Sequence, residues 1–188
     1  MRNLIVFNHV SIDGYFTGEN GDFSWAHTGS DDPEYQAFVA GNASGEGQLL
    51  FGRVTYDLMA GYWPTPLADQ HNPVVAKAMN NMQKVVFSRT MEKPLWNNTK
   101  LIRTDIVSEI RKMKNESGPG MVLMGSGTII SQLAQEQVID EYQILVNPVA
   151  IGKGRTMFGS MDKILNLKLN STRTFKNGKV FLRFEPAK

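Results

Sequence analysis

Short apolar runs alternate with amphipathic stretches along this chain, and the alternation is regular enough to predict its elements. "LIVFNHV" (4–10), "GQLLFG" (47–52), "KVVFSRT" (84–90), "KLIR" (100–103) and "GMVLMG" (120–125) are rich in branched or aromatic residues and too short for helices. They read as buried strands. Between them the apolar positions recur at helical spacing. "DDPEYQAFVAGNAS" offers Asp32 as an N-cap and Pro33 at the first helical position, with Tyr35, Phe38 and Val39 on one face. "RVTYDLMAG" predicts a short helix closed by Gly61, and residues 74–81 predict another. "DIVSEIRKMKNES" carries Ile106, Ile110 and Met113 at helical spacing and ends at Gly118-Pro119; a further helix runs from about Thr128 to Glu136. "SIDGYFTGENGDFSWAHTGS" and "YWPTPLADQHNP" read as loops. "DEYQILVNPVAI" begins a strand, and Asn177-Gly178 marks a hairpin between "NLKLNSTRTF" and "KVFLRFEP".

Buried strands that alternate with helices predict an α/β fold with a mainly parallel sheet covered on both faces, extended by the antiparallel hairpin. No repeat, low-complexity tract or linker interrupts the pattern, so one domain over residues 1–188 is expected. Composition narrows the function classes. Apolar residues make up 41% and charged residues 20%, an ordinary globular balance. A net charge of +2 without a basic stripe argues against nucleic acid. Cysteine is absent, which excludes disulfides, thiolate metal sites and a cysteine nucleophile. His9, His27 and His71 lack metal-ligand spacing, so no metal is expected. The apolar N-terminal run is too short for a signal peptide or a membrane span, and a cytoplasmic location is the default.

Three strand ends carry unusual chemistry: "LLFGRVT", "VVFSRT" and "VLMGSGT". About 36 residues separate Gly52 from Ser88 and Ser88 from Gly125, room for a strand–crossover–strand unit each time. Ligands of open α/β sheets bind beyond the carboxyl ends of strands, where helix N-termini point. Gly125 to Thr128 would present backbone N–H groups at one such helix start, and Arg53 and Thr55 after Gly52 would do so at a second. Ser88 and Arg89 add a hydroxyl and a fixed cation. Two helix N-termini suit a pyrophosphate, and the Ser-Arg pair suits an additional phosphate such as the ribose 2′-phosphate of NADPH. Each feature also has a plain alternative: a tight turn for the glycines, a solvated surface arginine for Arg89, a salt bridge for Arg53. Neither the Rossmann fingerprint nor a Walker loop is present, since Ile130 stands where a third glycine would and "GKGRT" lacks the upstream glycine.

In order and spacing, "FGRVTYD", "VVFSRT" and "VLMGSGTIISQL" resemble the dihydrofolate reductase superfamily. "SIDG" and "VIDEYQILVNPVAIGKGRTMFG" are more similar to the reductase domain of the bacterial bifunctional riboflavin-biosynthesis deaminase-reductase, here as a stand-alone domain. The deaminase zinc motif needs cysteines, which this chain lacks. The resemblance implies a twisted, mostly parallel sheet of about eight strands, NADPH across the strand ends, and a homodimer. It places Gly52, Arg53 and Thr55 at the pyrophosphate and Ser88 and Arg89 at the 2′-phosphate. Gly125, Ser126, Gly127 and Thr128 would cradle the remaining phosphate, and Ser11, Asp13 and Gly14 would lie beside the nicotinamide. The carboxylic residue that dihydrofolate reductases carry early in the helix after the first loop falls near Tyr35 or Gln36, and neither is acidic. Glu34 is one step away, a turn of about 100° on a helix. This argues against dihydrofolate itself as substrate. A pocket lined by Phe16, Phe23, Trp25, Tyr35 and Tyr56 would stack a flat, pteridine- or pyrimidine-like heterocycle, with packing of the loop as the equal alternative for these aromatics. Asp13 is the candidate for substrate orientation or proton delivery, with an Asp-Gly turn as its alternative. Lys153 and Arg155 would attract a substrate phosphate or simply form a charged surface loop. The expected activity is hydride transfer from NADPH to a C=N or C=O bond. The rivals are NADPH binding without catalysis and a structural homodimer of the same fold.

Overall fold

Strand β1 (Leu4–Ser11) has parallel neighbours on both sides in the computed structural model, which describes residues 1–29, 31–43 and 47–187. Ser30 of the first expected loop and the Ser44 end of the first expected helix lie outside the described residues. The order of elements is β1, β2 (Tyr15–Thr17), a 3₁₀ turn (Ser24–His27), α1 (Pro33–Ala43), β3 (Gly47–Gly52), α2 (Arg53–Tyr62), α3 (Pro66–His71), α4 (Pro73–Asn81), β4 (Gln83–Phe87) and β5 (Thr99–Ile102). There follow α5 (Ile106–Asn115), β6 (Gly120–Met124), α6 (Gly127–Gln135), β7 (Glu141–Asn147), β8 (Arg155–Thr156), β9 (Leu167–Thr174) and β10 (Val180–Pro186). Eight strands form one sheet in the order β5-β4-β3-β6-β1-β7-β10-β9. All pairs from β5 to β7 are parallel, and the β9–β10 hairpin adds the antiparallel edge. The expected α/β architecture is therefore the observed one.

Alternation along each strand sends successive side chains to opposite faces. On one face Leu4, Val6 and Val10 of β1 and Leu50 of β3 pack under Ile106, Ile110 and Met113 of α5 and Ile130 and Leu133 of α6. On the other, Leu49 and Phe51 of β3 meet Tyr56 of α2 and Val75 and Met79 of α4, while Tyr35 and Phe38 of α1 cover Phe7, Leu145 and Phe181. Each large apolar side chain removed from water contributes roughly 1.5–3 kcal/mol. Local chemistry sets the boundaries. Asp32 Oδ1 accepts from the Glu34 and Tyr35 amides at 3.0 and 3.4 Å, and its Oδ2 accepts from the Asn177 amide at 3.1 Å. The cap of α1 thereby also ties down the hairpin turn.

Some elements differ from expectation. The stretch "YWPTPLADQHNP" contains α3, capped by the Thr65 hydroxyl with Pro66 at the first helical position, a signal compressed into one short turn. Helix α2 runs through Gly61 to Tyr62. Strand β4 stops at Phe87, because Ser88 already folds into a turn whose hydroxyl accepts from the Thr90 and Met91 amides at 3.2 and 3.0 Å. A separate ribbon of β2 and β8 is too short to leave any periodicity. Among the described residues no helix is long and apolar enough to cross a membrane.

Candidate active site

Strands β4, β3 and β6 are consecutive in the sheet, so Ser88–Arg89, Gly52–Arg53 and Gly125–Thr128 emerge side by side. The junctions after β3 and β6 interlock. A side-chain carbon at Gly52 would collide with Ser126 Oγ and lie 3.1 Å from Ile129 Cδ1, and one at Gly125 would collide with Thr55 Oγ1. Glycine is required at both places by close approach, and at Gly125 by a φ of 63° as well. Ser126 follows with φ 65°, a left-handed conformation that costs a non-glycine residue roughly 1–2 kcal/mol. Neither α2 nor α6 has a side-chain cap, whereas Asp105 caps α5 and Thr65 caps α3. The amides of Ser126, Gly127 and Thr128 have no protein acceptor among the described residues. The amide of Gly125 is different: it donates to buried Asn8 Oδ1 at 2.8 Å, so its contribution is to hold the loop. Two helix starts without side-chain caps thus lie against each other.

Beside them is a cavity of about 220 Å³ lined by Ser88, Arg89, Arg103, Asp105, Ile129 and Gln132. Arg89 is exposed, and its guanidinium has no hydrogen-bond partner among the described residues. Arg53 bonds Asp57 at 3.2 Å on its own helix, an exposed pair of small energetic weight. Arg103 escaped the sequence reading. Its guanidinium donates to the carbonyls of Arg89 and Glu92 at 3.3 and 3.0 Å and fixes the loop that carries Arg89. The signal was present as a repeat, because "FGR", "FSR" and "LIR" each place an arginine at the end of an apolar run. Asp105 holds its proton less tightly than an ordinary carboxyl, chiefly through hydrogen bonding at Ser108 and further through the charge of Arg89.

At the end of β1, Ser11 Oγ accepts from the Tyr15 amide at 3.0 Å and Gly14 turns the loop with φ 88°. Asp13 accepts from the Ile151 amide at 3.1 Å and the Gly152 amide at 2.7 Å. Hydrogen bonds from Ser11 and Gly152 hold its carboxyl below the usual carboxylate range. These contacts make Asp13 a clamp between its own turn and the 151–152 loop. The expected aromatic wall is divided. Phe16 lies against α6, 3.0 Å from where a side chain at Gly127 would begin, and Thr156 O is 2.6 Å from the same point. Trp25 and Tyr35 belong to the opposite face, around α1. Tyr56 is buried between Phe51 and Trp96 with its hydroxyl accepting from the Trp96 amide at 2.8 Å. Lys153 is an exposed loop residue and Arg155 an exposed residue of β8.

Residues 2–181 match the RibD C-terminal domain family. The chain belongs to that family. Two Bacillus subtilis proteins are similar along nearly the whole length: YyaP is 29% identical over 95% of this chain and 92% of its own, and YwjB is 23% identical over 93% and 92%. Both are described as uncharacterized. Among solved structures, a protein from Shewanella sp. PV-4 named for riboflavin biosynthesis superposes with a TM-score of 0.71 at 21% identity, covering 99% of both chains. Dihydrofolate reductase from Enterococcus faecalis, complexed with NADP(H), gives 0.68 at 14%, covering 99% of this chain and 97% of that one. A Thermotoga maritima deaminase/reductase gives 0.65 at 13% and is covered over 57% of its length. At these identities the structural likeness establishes the fold.

On the α1 face of this RibD C-terminal domain protein lies a second polar group that sequence reasoning missed. His9 of β1 meets Phe23 edge-on at 5.6 Å, and Phe23 in turn meets Trp25 and His27, each at 5.5 Å. Lys179, 1% exposed, donates to Ala26 O at 3.0 Å and to Asn147 Oδ1, and lies 5.3 Å over the ring of Tyr35. Burial, reinforced by the charge of Lys179, pushes His9 down to about 3. Burial pulls Lys179 down to about 8 and pushes Tyr35 up to about 12. Nδ1 of His9 and Nε1 of Trp25 are enclosed without a hydrogen-bond partner. No spacing rule links residues 9, 25, 147 and 179, since only the sheet order brings them together.

Proposed function

We propose that this chain is an NADPH-dependent reductase of a small polar substrate. The observation that carries the reading is the convergence of the uncapped starts of α2 and α6, through the Gly52–Ser126 and Gly125–Thr55 contacts, beside a cavity walled by Ser88 and Arg89. A pyrophosphate fits this arrangement: its oxygens would take the N–H groups of Ser126, Gly127 and Thr128 and the first turn of α2. Gly52 and Gly125 let the two junctions close on Ser126 and Thr55, and Ser88 and Arg89 line the neighbouring cavity. Arg89 would hold a 2′-phosphate, with Arg103 keeping the Arg89 loop in place. The NADP(H) complex of the Enterococcus faecalis reductase, which shares the fold, supports the choice of cofactor.

Once bound, NADPH supplies a hydride to a C=N or C=O carbon. The protein's part is positioning. Asp13, by clamping the Ile151 and Gly152 amides, fixes the 11–14 loop that would cover the nicotinamide, and Ser11 sets its first turn. Holding donor and acceptor carbons in contact away from water is the main catalytic contribution expected of such a site. The test is a fluorescence titration with NADPH and NADH, followed by absorbance assays of NADPH oxidation with a panel of pteridines, pyrimidines and small carbonyl compounds. Tighter binding of NADPH together with steady oxidation by a panel member supports a reductase. Absence of NADPH binding refutes the reading, and binding without turnover across the panel reduces it to a nucleotide-binding protein.

A further inference from the structure

The enclosure around Lys179 has three properties that packing alone leaves unexplained. A buried ammonium has no carboxylate paired with it among the described residues. The indole Nε1 of Trp25, a residue 8% exposed, can only donate and has no acceptor among the described residues. The enclosed Nδ1 of His9 is likewise unused. Leaving a buried polar group unsatisfied is unfavourable, and an unpaired buried charge more so. The acidic side chains near the start of α1 do not compensate. Glu34 turns outward to Arg173 at 2.9 Å, and Asp32 is taken up by the amides of Glu34, Tyr35 and Asn177.

We propose that this enclosure recognises an anionic edge of the substrate, a carboxylate or an ionised lactam. The location rests on the reductase reading: His9 lies two residues before Ser11 on the same face of β1, roughly 7 Å along the strand from the loop assigned to the nicotinamide. One anion accounts for all three observations. It would give Lys179 a counter-charge and accept from Trp25 Nε1–H, and it would accept from His9 in the tautomer that carries the proton on Nδ1 and releases the hydrogen bond to Asn147. Phe23, half-buried and the shared ring neighbour of His9, Trp25 and His27, is the side chain that must give way. His27, exposed beside it, marks the entry side. The flat aromatic walls favour a planar ring as the carrier of the charge.

The test uses ¹⁵N-labelled full-length protein with benzoate and pyrimidine-4-carboxylate as probes, and benzamidine and 4-aminopyrimidine as controls of opposite character. The indole N–H of Trp25 and the imidazole of His9 are followed by NMR. The carboxylates are expected to shift both resonances and to bind at least tenfold tighter than the controls. Lys179→Gln, which keeps a donor but removes the charge, is expected to abolish at least tenfold of that affinity. Trp25→Phe deletes one donor with the ring retained, should weaken the carboxylates by a smaller factor, and serves where Lys179→Gln loses its dispersed spectrum. Carboxylates that leave Trp25 and His9 unmoved, controls that bind equally well, or a Lys179→Gln protein of undiminished affinity would overturn the proposal. NADPH is titrated separately against the amides of Ser126, Gly127 and Thr128. A carboxylate response without an NADPH response removes the cofactor site and keeps the enclosure, and the converse removes the enclosure alone.

Discussion

Replacing Arg89 with alanine deletes the exposed guanidinium on the cavity wall that lacks a hydrogen-bond partner of its own, while leaving Ser88 and Arg103 in place. A charge-assisted hydrogen bond contributes about 1.5–3 kcal/mol, which corresponds to roughly ten- to 150-fold in affinity. Arg89 is exposed, so screening by water and salt places the expected loss near the lower end, about tenfold. NADH lacks the 2′-phosphate and should lose almost nothing. The four dissociation constants for wild type and Arg89→Ala with NADPH and NADH form a cycle whose coupling term isolates the contact between this side chain and that phosphate. Lowering the ionic strength should enlarge the coupling, because the screening length grows. Equal losses for the two cofactors, or a coupling insensitive to salt, would show that Arg89 acts on the loop rather than on the phosphate, and the 2′-phosphate assignment would be withdrawn.

Gly52→Ala forces a methyl against Ser126 and Ile129. Overpacking of this kind costs about 1–3 kcal/mol, and calorimetry should register a melting temperature lower by several degrees together with weaker NADPH binding. An unchanged melting point would mean that the junctions separate freely. Lys84 of β4 is 1% exposed and donates to the carbonyls of Asn80, Met82 and Asn97 at 3.1, 2.6 and 3.2 Å. Lys84→Met strands those acceptors, and urea unfolding should show a loss on the order of 3 kcal/mol. His9 and His27 both hold their protons less tightly in the folded protein than in the unfolded chain, His9 because of burial and then the charge of Lys179. The unfolded state therefore binds more protons below about pH 6.5, and stability falls as the solution is acidified from there towards pH 4.5. Buried His9 adds at most about 1.4 kcal/mol per pH unit and the exposed His27 less, being screened by water, and His9→Gln should flatten the decline measured by urea titrations.

The sheet and most of its helices were legible because strand and crossover lengths repeat and because caps such as Asp32 and Asp105 are local signals. The side-by-side placement of three strand ends was legible for the same reason: Gly52, Ser88 and Gly125 each close an apolar run, and a parallel sheet aligns its strand ends. Features that depend on what the fold brings together were not legible. Asp13 read equally as catalyst or turn residue until its partners, Ile151 and Gly152, lay opposite it across 138 and 139 positions of chain. Tyr56 looked like a pocket aromatic because nothing local announces that its hydroxyl meets the Trp96 amide. The Lys179 enclosure drew on β1, the 3₁₀ turn, β7 and the hairpin at once, and its members are individually unremarked residues.

The small ribbon of β2 and β8 has a mechanical consequence. Tyr15 and Thr17 are zipped to Thr156 and Arg155, and the carbonyl of Thr156 rests against Gly127 at the head of α6. Asp13 fastens the same two segments a second time. A flap tethered at both its root and its tip cannot lift alone: opening over the proposed nicotinamide site would drag the strap off the head of α6. Release of spent cofactor would then be a single concerted event, with a rate set by how fast this doubly stitched seam comes undone.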